Sequence, residues 1–249
     1  MPQLHKSIQV LAIDDVISEM GRLDITALTY PSADLDEAVS RIMELKRLGA
    51  TALYLQVGDD KLLPIIVGKG FRGVVVRCRS GPYEAVVKMP RLDSPKMDMA
   101  EEARYQGIAS SLGLAPTVYG WSGQMILMEF IDGVKLGEGV KTISQDEVGA
   151  ILEACFQLDR LGLDHGQLSD ASHHIIFRDK KPVIIDYGHA STERRARNLT
   201  SLISYLLNRL QINPNNHSRL LTLLSKYSRS HDLETYWMIK DYVIGILQG

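Results

Sequence analysis

Apolar residues recur along this chain in two rhythms, and the changes between them divide it. From Asp34 to Gly49 the period is helical. Leu35, Ala38, Ile42, Leu45 and Leu48 share one face, Asp34 stands at the capping position with Glu37 three residues on, and Gly49 ends the run. A short apolar stretch, Ala52–Val57, then predicts a strand, followed by a Gly58-Asp59-Asp60 turn. From residue 63 the texture becomes β-rich, with strands predicted over 64–67, 73–78 and 84–89. The tight Ser80-Gly81-Pro82 segment separates the last two as a hairpin. A helix is predicted over 98–112, and strands over 117–119 and 125–130.

The remainder reads as mostly helical. Ser144 and Glu147 form a capping box ahead of Val148, Ile151, Leu152, Cys155 and Leu158, which line one face. A strand pair, 175–177 and 183–185, interrupts this region, and helices are predicted over 197–211, 216–228 and 231–247. The order is an α/β preface, then a β-rich lobe with one helix, then an α-rich lobe. Strands first and helices afterwards predict an α+β fold of two lobes rather than a doubly wound sheet.

Composition narrows the functional classes. Hydrophobic residues are 45% and charged residues 23% of the 249, ordinary values for a folded chain with a sizeable core. A net charge of −2 gives no global basic footprint for nucleic acid, although Arg194-Arg195-Ala196-Arg197 is a local one. Cys78 and Cys155 are too isolated to form a disulfide framework or a zinc spacing, and are expected to be buried hydrophobes. No signal-peptide pattern and no apolar run of about 18 residues occurs, so the expectation is a cytoplasmic protein with no membrane partner.

Five segments carry candidate chemistry. Gly68-Lys69-Gly70-Phe71-Arg72-Gly73 is a glycine loop whose backbone can approach phosphates closely. Its last glycine opens Val74-Val75-Val76, a strand. A dinucleotide fingerprint would open a helix there, so a glycine loop between antiparallel strands points to the kinase arrangement. Glu84-Ala85-Val86-Val87-Lys88 follows, a strand matching the pattern whose lysine contacts the α- and β-phosphates, and Glu101 and Glu102 in the next helix offer Lys88 a carboxylate. Adjacent helical residues point about 100° apart, so only one of the two can serve. Met125–Phe130 is an apolar strand that leads through Glu129 and Ile131 to Asp132-Gly133. Val183-Ile184-Ile185-Asp186-Tyr187-Gly188 places an aspartate, a ligand type suited to Mg²⁺, directly after a strand.

In this order the segments resemble the small atypical kinases of the RIO and Bud32 type, and among them an archaeal-type group described as predicted serine/threonine protein kinases. The resemblance runs from about residue 64 to about 210. It implies a bilobal protein-kinase-like fold, with a β-rich N-lobe over 63–131, a reduced α-rich C-lobe over 132–249 and a short N-terminal α/β extension, 1–62, bracing the N-lobe. It implies ATP and Mg²⁺ as cofactors. Gly68, Lys69, Gly70 and Gly73 would cover the phosphates and Lys88 would be held by Glu102, while backbone groups around Glu129 and Ile131 would take the adenine edge. Asp186 would hold Mg²⁺.

The resemblance breaks at the catalytic loop, Leu163-Asp164-His165-Gly166-Gln167-Leu168-Ser169. Gln167 occupies the position of the usual catalytic aspartate and cannot accept a proton at neutral pH. Asp164 lies three residues earlier, either as a substitute base or as a loop-shaping partner of His165 or Arg160. The expected asparagine position holds Ser172 or, with two residues inserted, His174, an imidazole that suits Mg²⁺ poorly. The implied functions are therefore an atypical serine/threonine kinase or slow ATPase acting on a protein or small-molecule acceptor, and alternatively a nucleotide-binding pseudokinase. Arg194, Arg195 and Arg197 could attract an anionic substrate. A nucleic-acid partner rests on the RIO resemblance and these arginines alone.

Overall fold

The computed structural model describes residues 7–71, 73–95, 98–139 and 143–246. The chain forms two compact units. One comprises Met1–Arg104 with Thr117–Phe130, the other Tyr105–Pro116 with Ile131–Gly249.

The first unit is an antiparallel sheet with helices packed against it. Its strands are β1 (Ile8–Ala12), β2 (Ala52–Val57), β3 (Leu62–Pro64), β4 (Ile66–Lys69), β5 (Gly73–Ser80), β6 (Tyr83–Pro90), β7 (Val118–Trp121) and β8 (Ile126–Glu129). They run in the order β1-β2-β5-β6-β8-β7, with β3 on β2 and β4 on β5. The register shows how the glycine segment is held. β2 pairs with one end of β5, at Cys78 and Arg79, and β4 pairs with the other, at Val74–Val76. Strand alternation sorts the two faces. Val74, Val76 and Cys78 of β5 and Ala85, Val87 and Met89 of β6 enter the core with Leu53, Leu55 and Leu127, leaving Lys88 on the opposite face. The described residues before 63 thus contribute strands to this sheet and share its core.

Short helices α1 (Ile13–Val16) and α2 (Thr26–Thr29) precede α3 (Leu35–Arg47), whose first turn is capped by the Asp34 side chain accepting from the Glu37 N–H. α3 buries Ala38, Ile42 and Leu45, but Leu35, which shares their period, is exposed at the first turn. Arg41 joins the buried stripe in its place. Its guanidinium donates to the carbonyls of Leu28 (2.8 Å) and Pro90 (3.0 Å) and to Glu37 Oε1 (2.7 Å), so a buried charge ties α3 to α2 and to the end of β6. α4 (Met99–Ser110) is divided between the units, and its first part packs Met99 and Ala103 on Ile126.

The second unit is mostly helical. β9 (Val134–Lys135) and α5 (Leu136–Gly139) lead to α6 (Gln145–Arg160), where Ser144 and Glu147 cap each other reciprocally. α6 buries nine of its sixteen residues, more than the single stripe its periodicity suggests, because α7 (Asn198–Arg209), α9 (Leu233–Ile246) and the hairpin β10 (Ile175–Arg178)–β11 (Lys181–Ile184) pack around it. α8 (Ser218–Ser230) contributes Tyr227, and Phe156 stacks on Tyr236 at 4.2 Å between ring centres. Both cysteines are buried and free. Burial pushes the Cys78 thiol up to about 12 and the Cys155 thiol well above its ordinary value, which leaves neither reactive. Among the described residues no helix is long and apolar enough to cross a membrane.

Replacing Arg41 by Ala leaves the Leu28 and Pro90 carbonyls without their donor. It is expected to lower the stability of the first unit by about 2–4 kcal/mol. Urea unfolding followed by Trp121 fluorescence in a Trp237→Phe background measures this, and an unchanged midpoint would refute the anchoring role.

Candidate functional site

In the first unit the glycine loop is the connection between β4 and β5. Gly68 pairs with Val75 and Lys69 with Val74, and the turn closes with the Gly70 N–H donating to the Gly73 carbonyl at 2.9 Å. Arg72 lies outside the described residues. Space, rather than unusual backbone angles, makes glycine necessary at Gly73. None of Gly68, Gly70 and Gly73 has a positive φ, yet a Cβ on Gly73 would sit 2.9 Å from the Met89 carbonyl oxygen, and one on Gly68 3.3 Å from a Val75 methyl. The same Gly73 position lies 3.9 Å from Lys88 Cε, so the loop passes close over the lysine stem. Phe71, at the tip, is 85% exposed.

Lys88 Nζ meets Glu102 Oε1 at 2.6 Å, and both side chains are well shielded. Glu101, one position earlier, turns outward and lies 4.0 Å from Arg104. Within α4, then, it is Glu102 that reaches the sheet face carrying Lys88. Shielding raises the strength of this pair and also its cost if broken, because a lone Glu102 would be a buried charge. Lys69 places its ammonium over the Tyr30 ring, 3.6 Å from the centroid, a cation–π contact invisible from the sequence because 39 positions separate the two residues. Glu129 ends β8 with its carboxylate accepting from the Thr117 N–H at 3.1 Å. The Ile131 side chain belongs to the second unit, in a small apolar cluster with Ile176 and Val183.

The loop Leu163–Gln167 of the second unit hangs on buried polar groups. Asp159, in the last turn of α6, accepts from the backbone N–H groups of Asn198 (2.8 Å) and Leu199 (3.1 Å), from the Asn198 side-chain amide (2.9 Å) and from the Tyr227 hydroxyl (2.9 Å). It thereby caps α7 from another helix. Desolvation raises its pKa, opposed by these hydrogen bonds. Asn198 in turn donates to the Leu163 carbonyl (2.7 Å) and accepts from the His165 N–H (2.8 Å), fixing the loop from both sides.

Asp164 is 7% exposed, and both its carboxylate oxygens are engaged. Oδ2 accepts from Arg194 Nε and Oδ1 from the Arg197 backbone N–H at 2.9 Å, while Asp164 and Ser191 exchange backbone hydrogen bonds. Its partners, Arg194, Arg197 and Ser191, thus lie in the segment following Gly188, where His165 and Arg160 had been the expected ones. Gly166 has φ +84°, and a Cβ there would overlap the Arg194 guanidinium and lie 2.6 Å from the His189 carbonyl oxygen, so glycine is needed for both angle and space. His165 is fully buried, its Nε2 3.0 Å from the Ile185 carbonyl, which requires that nitrogen to carry the proton. Burial lowers its pKa to about 4, and the neighbouring His174 adds to the shift.

Gln167 carries a buried amide oxygen with no partner among the described residues. His174 likewise leaves Nδ1 without one, and burial lowers its pKa. The Ser172 hydroxyl donates to Asp170 Oδ1 at 2.6 Å. Asp186 is exposed and has φ +69°, a left-handed conformation uncommon outside glycine that aspartate adopts more readily than most residues. Its charge acts on both His165 and His174. Tyr187 is buried against His165, 4.9 Å between ring centres. Among the described residues no group of three or more His, Cys, Asp and Glu is arranged to hold a metal ion. By donor type, a carboxylate such as Asp186 or an amide oxygen such as that of Gln167 suits a hard cation, and the His174 nitrogen does not.

Asp159, Asn198 and Arg194 were not singled out by sequence reasoning as loop-holding residues. Asp159-Arg160 reads as an ordinary helix end, and Asn198 opens a helix without a capping pattern of its own. No family model matches the chain. It is 35% identical over 83 residues to an uncharacterized protein of the archaeon Methanocaldococcus jannaschii, MJ1211, an alignment covering 32% of this chain and 71% of that protein.

The buried His165 has a consequence for stability. Its folded pKa, about 4, lies below the ordinary imidazole value of 6.5, so folding favours the neutral ring. The contribution is complete above pH 6.5 and is lost as pH falls from there toward 4, to a total on the order of 3 kcal/mol. His174 is shifted in the same direction. Melting profiles across this window should show a steeper acid-side decline for the wild type than for His165→Gln. Parallel curves would contradict the assignment.

Proposed function

We propose, for a chain that belongs to the family of the uncharacterized archaeal protein MJ1211, ATP- and Mg²⁺-dependent phosphoryl transfer by an atypical serine/threonine kinase. In this reading the two units are the N-lobe and reduced C-lobe of a protein-kinase-like fold. The observation that carries it is the Lys88–Glu102 pair at 2.6 Å, set directly beside the position where Gly73 leaves no room for a side chain. A shielded lysine fixed by a carboxylate under a glycine turn is a means of holding phosphate oxygens at a set place.

When bound, ATP and Mg²⁺ supply the transferable phosphoryl group and neutralise its charge. The chain's own part is positioning. Gly68, Gly70 and Gly73 let backbone approach the phosphates, Lys88 contacts their oxygens, and Glu102 restrains Lys88. Asp186 and the Gln167 amide oxygen offer oxygen donors to the cation. Asp164 orders the segment after Gly188 through Arg194 and Arg197. Phosphoryl transfer depends mainly on such positioning and on charge stabilisation, so the absence of an aspartate at 167 slows the reaction without forbidding it.

A second reading is a pseudokinase that binds nucleotide without passing on the phosphate. The observation favouring it is that Asp164 has both oxygens engaged while Gln167 is not a base at neutral pH. Incubation with γ-labelled ATP and Mg²⁺ separates the two. Transfer is expected to give labelled protein or free phosphate, and Asp186→Asn should reduce it at least about a hundredfold. Equal turnover in that variant would overturn the role of Asp186. A nucleotide-dependent rise in melting temperature with no transfer over hours would establish the second reading instead.

A further inference from the structure

The segment after Gly188 builds a site of its own within the second unit. Arg194, Arg195 and Arg197, with Asp164, Gly166 and Ser201, line a pocket of about 350 Å³. It is a polar concavity open to solvent, with room for a group larger than a single bound ion. All three arginines are exposed. Asp164 is the lining's one carboxylate, and Arg194 and the Arg197 backbone already engage it. Among the described residues Arg195 and Arg197 have no carboxylate partner for their guanidinium groups. Two uncompensated positive charges therefore face one concavity, with the Ser201 hydroxyl as a neutral hydrogen-bonding group.

The backbone beneath the pocket is held in place. Gly166 cannot carry a side chain without displacing Arg194, the Asp164 carboxylate holds the Arg197 backbone, and Asp159 secures the start of α7 immediately beyond. Guanidinium groups pair with phosphate oxygens through parallel N–H donors, and two such groups match the charge of a phosphomonoester, close to −2 at neutral pH. A singly charged carboxylate would leave half of that charge unmet. With a net charge of −2 for the whole chain, this is a localised anion site rather than part of a basic surface for nucleic acid.

We propose that the Arg194–Arg195–Arg197 pocket binds a phosphomonoester, and that it docks an acceptor already bearing a phosphoryl group. The assignment as an anion site stands on these residues, and only its role as the acceptor's docking point rests on the phosphotransfer reading. The acceptor's phosphate belongs either to a small metabolite or to a phosphoserine side chain, two sources of one chemistry.

Calorimetric titration of the full chain with inorganic phosphate, ribose 5-phosphate, a short phosphoserine peptide and its unphosphorylated twin tests this. At least one phosphate-bearing organic probe should bind, the unphosphorylated peptide should not, and Arg195→Gln/Arg197→Gln should weaken binding at least about tenfold while its unliganded melting temperature stays unchanged. Preference for ribose 5-phosphate identifies a small-molecule acceptor, and preference for the phosphopeptide a protein one. Absence of phosphate binding, equal affinity in the double variant, or binding of single-stranded RNA with none of the phosphates would overturn the site. ATP titration of the wild type and of the same variant separates the two readings. Arginine-dependent phosphate binding without any ATP binding leaves the pocket standing and removes the nucleotide reading, whereas retained ATP binding with arginine-independent phosphate binding removes the pocket alone.

Discussion

The second unit depends on one buried carboxylate. Asp159 is almost inaccessible to water, and a charge placed there is tolerable only because four donors converge on it. Two of these are backbone groups at the start of α7, a third is the Asn198 side chain and the fourth is the Tyr227 hydroxyl of α8. A single side chain thus joins three helices. Its effect reaches the candidate site through Asn198, whose amide holds the loop at Leu163 and His165. The loop conformation is in this sense a consequence of helix capping. Asp164, His165 and Gly166 are positioned by a group that need not take part in any chemistry.

The first unit meets the corresponding requirement with different means. There the sheet provides the rigid frame, and strand alternation brings Lys88 to the face opposite the core. Glu102 then restrains a side chain that would otherwise sample many rotamers. Gly73 allows the neighbouring strand to run close to Met89 and to the lysine stem. In both units the candidate functional groups lie on or beside regular elements and are fixed by buried polar contacts. Reactions that rely on placement rather than on a covalent intermediate need such preorganisation.

The elements most legible in the sequence were those whose signals are local. Asp34 and Ser144 cap helices as their spacing predicts, and the strands around the glycine segment follow from alternation and turn residues. Elements that owe their form to distant partners were harder to see. β1 is a strand because β2 pairs with it, and residues 8–12 carry no strong pattern alone. Asp179-Lys180 forms the turn of a hairpin with two positive φ values, although it lacks the Asn-Gly or Asp-Gly sequence that usually marks such turns. Leu35 fits the helical stripe of α3 yet is exposed, and Arg41 is buried against the rule because two carbonyls await it. For the site, residue types were readable and contacts were not. Nothing local indicates that Asp164 takes Arg194, or that Lys69 lies over Tyr30.

In the proposed reading Lys88 and its carboxylate form part of a nucleotide site. Isothermal titration with ATP and Mg²⁺, comparing the wild type with Lys88→Met/Glu102→Gln, addresses it most directly. The double substitution removes both buried charges together and spares the fold an orphaned one. Saturable binding of one nucleotide per chain is expected in the wild type, with affinity at least about tenfold weaker in the double variant. Equal affinity in the two proteins, or no binding by the wild type, would contradict it.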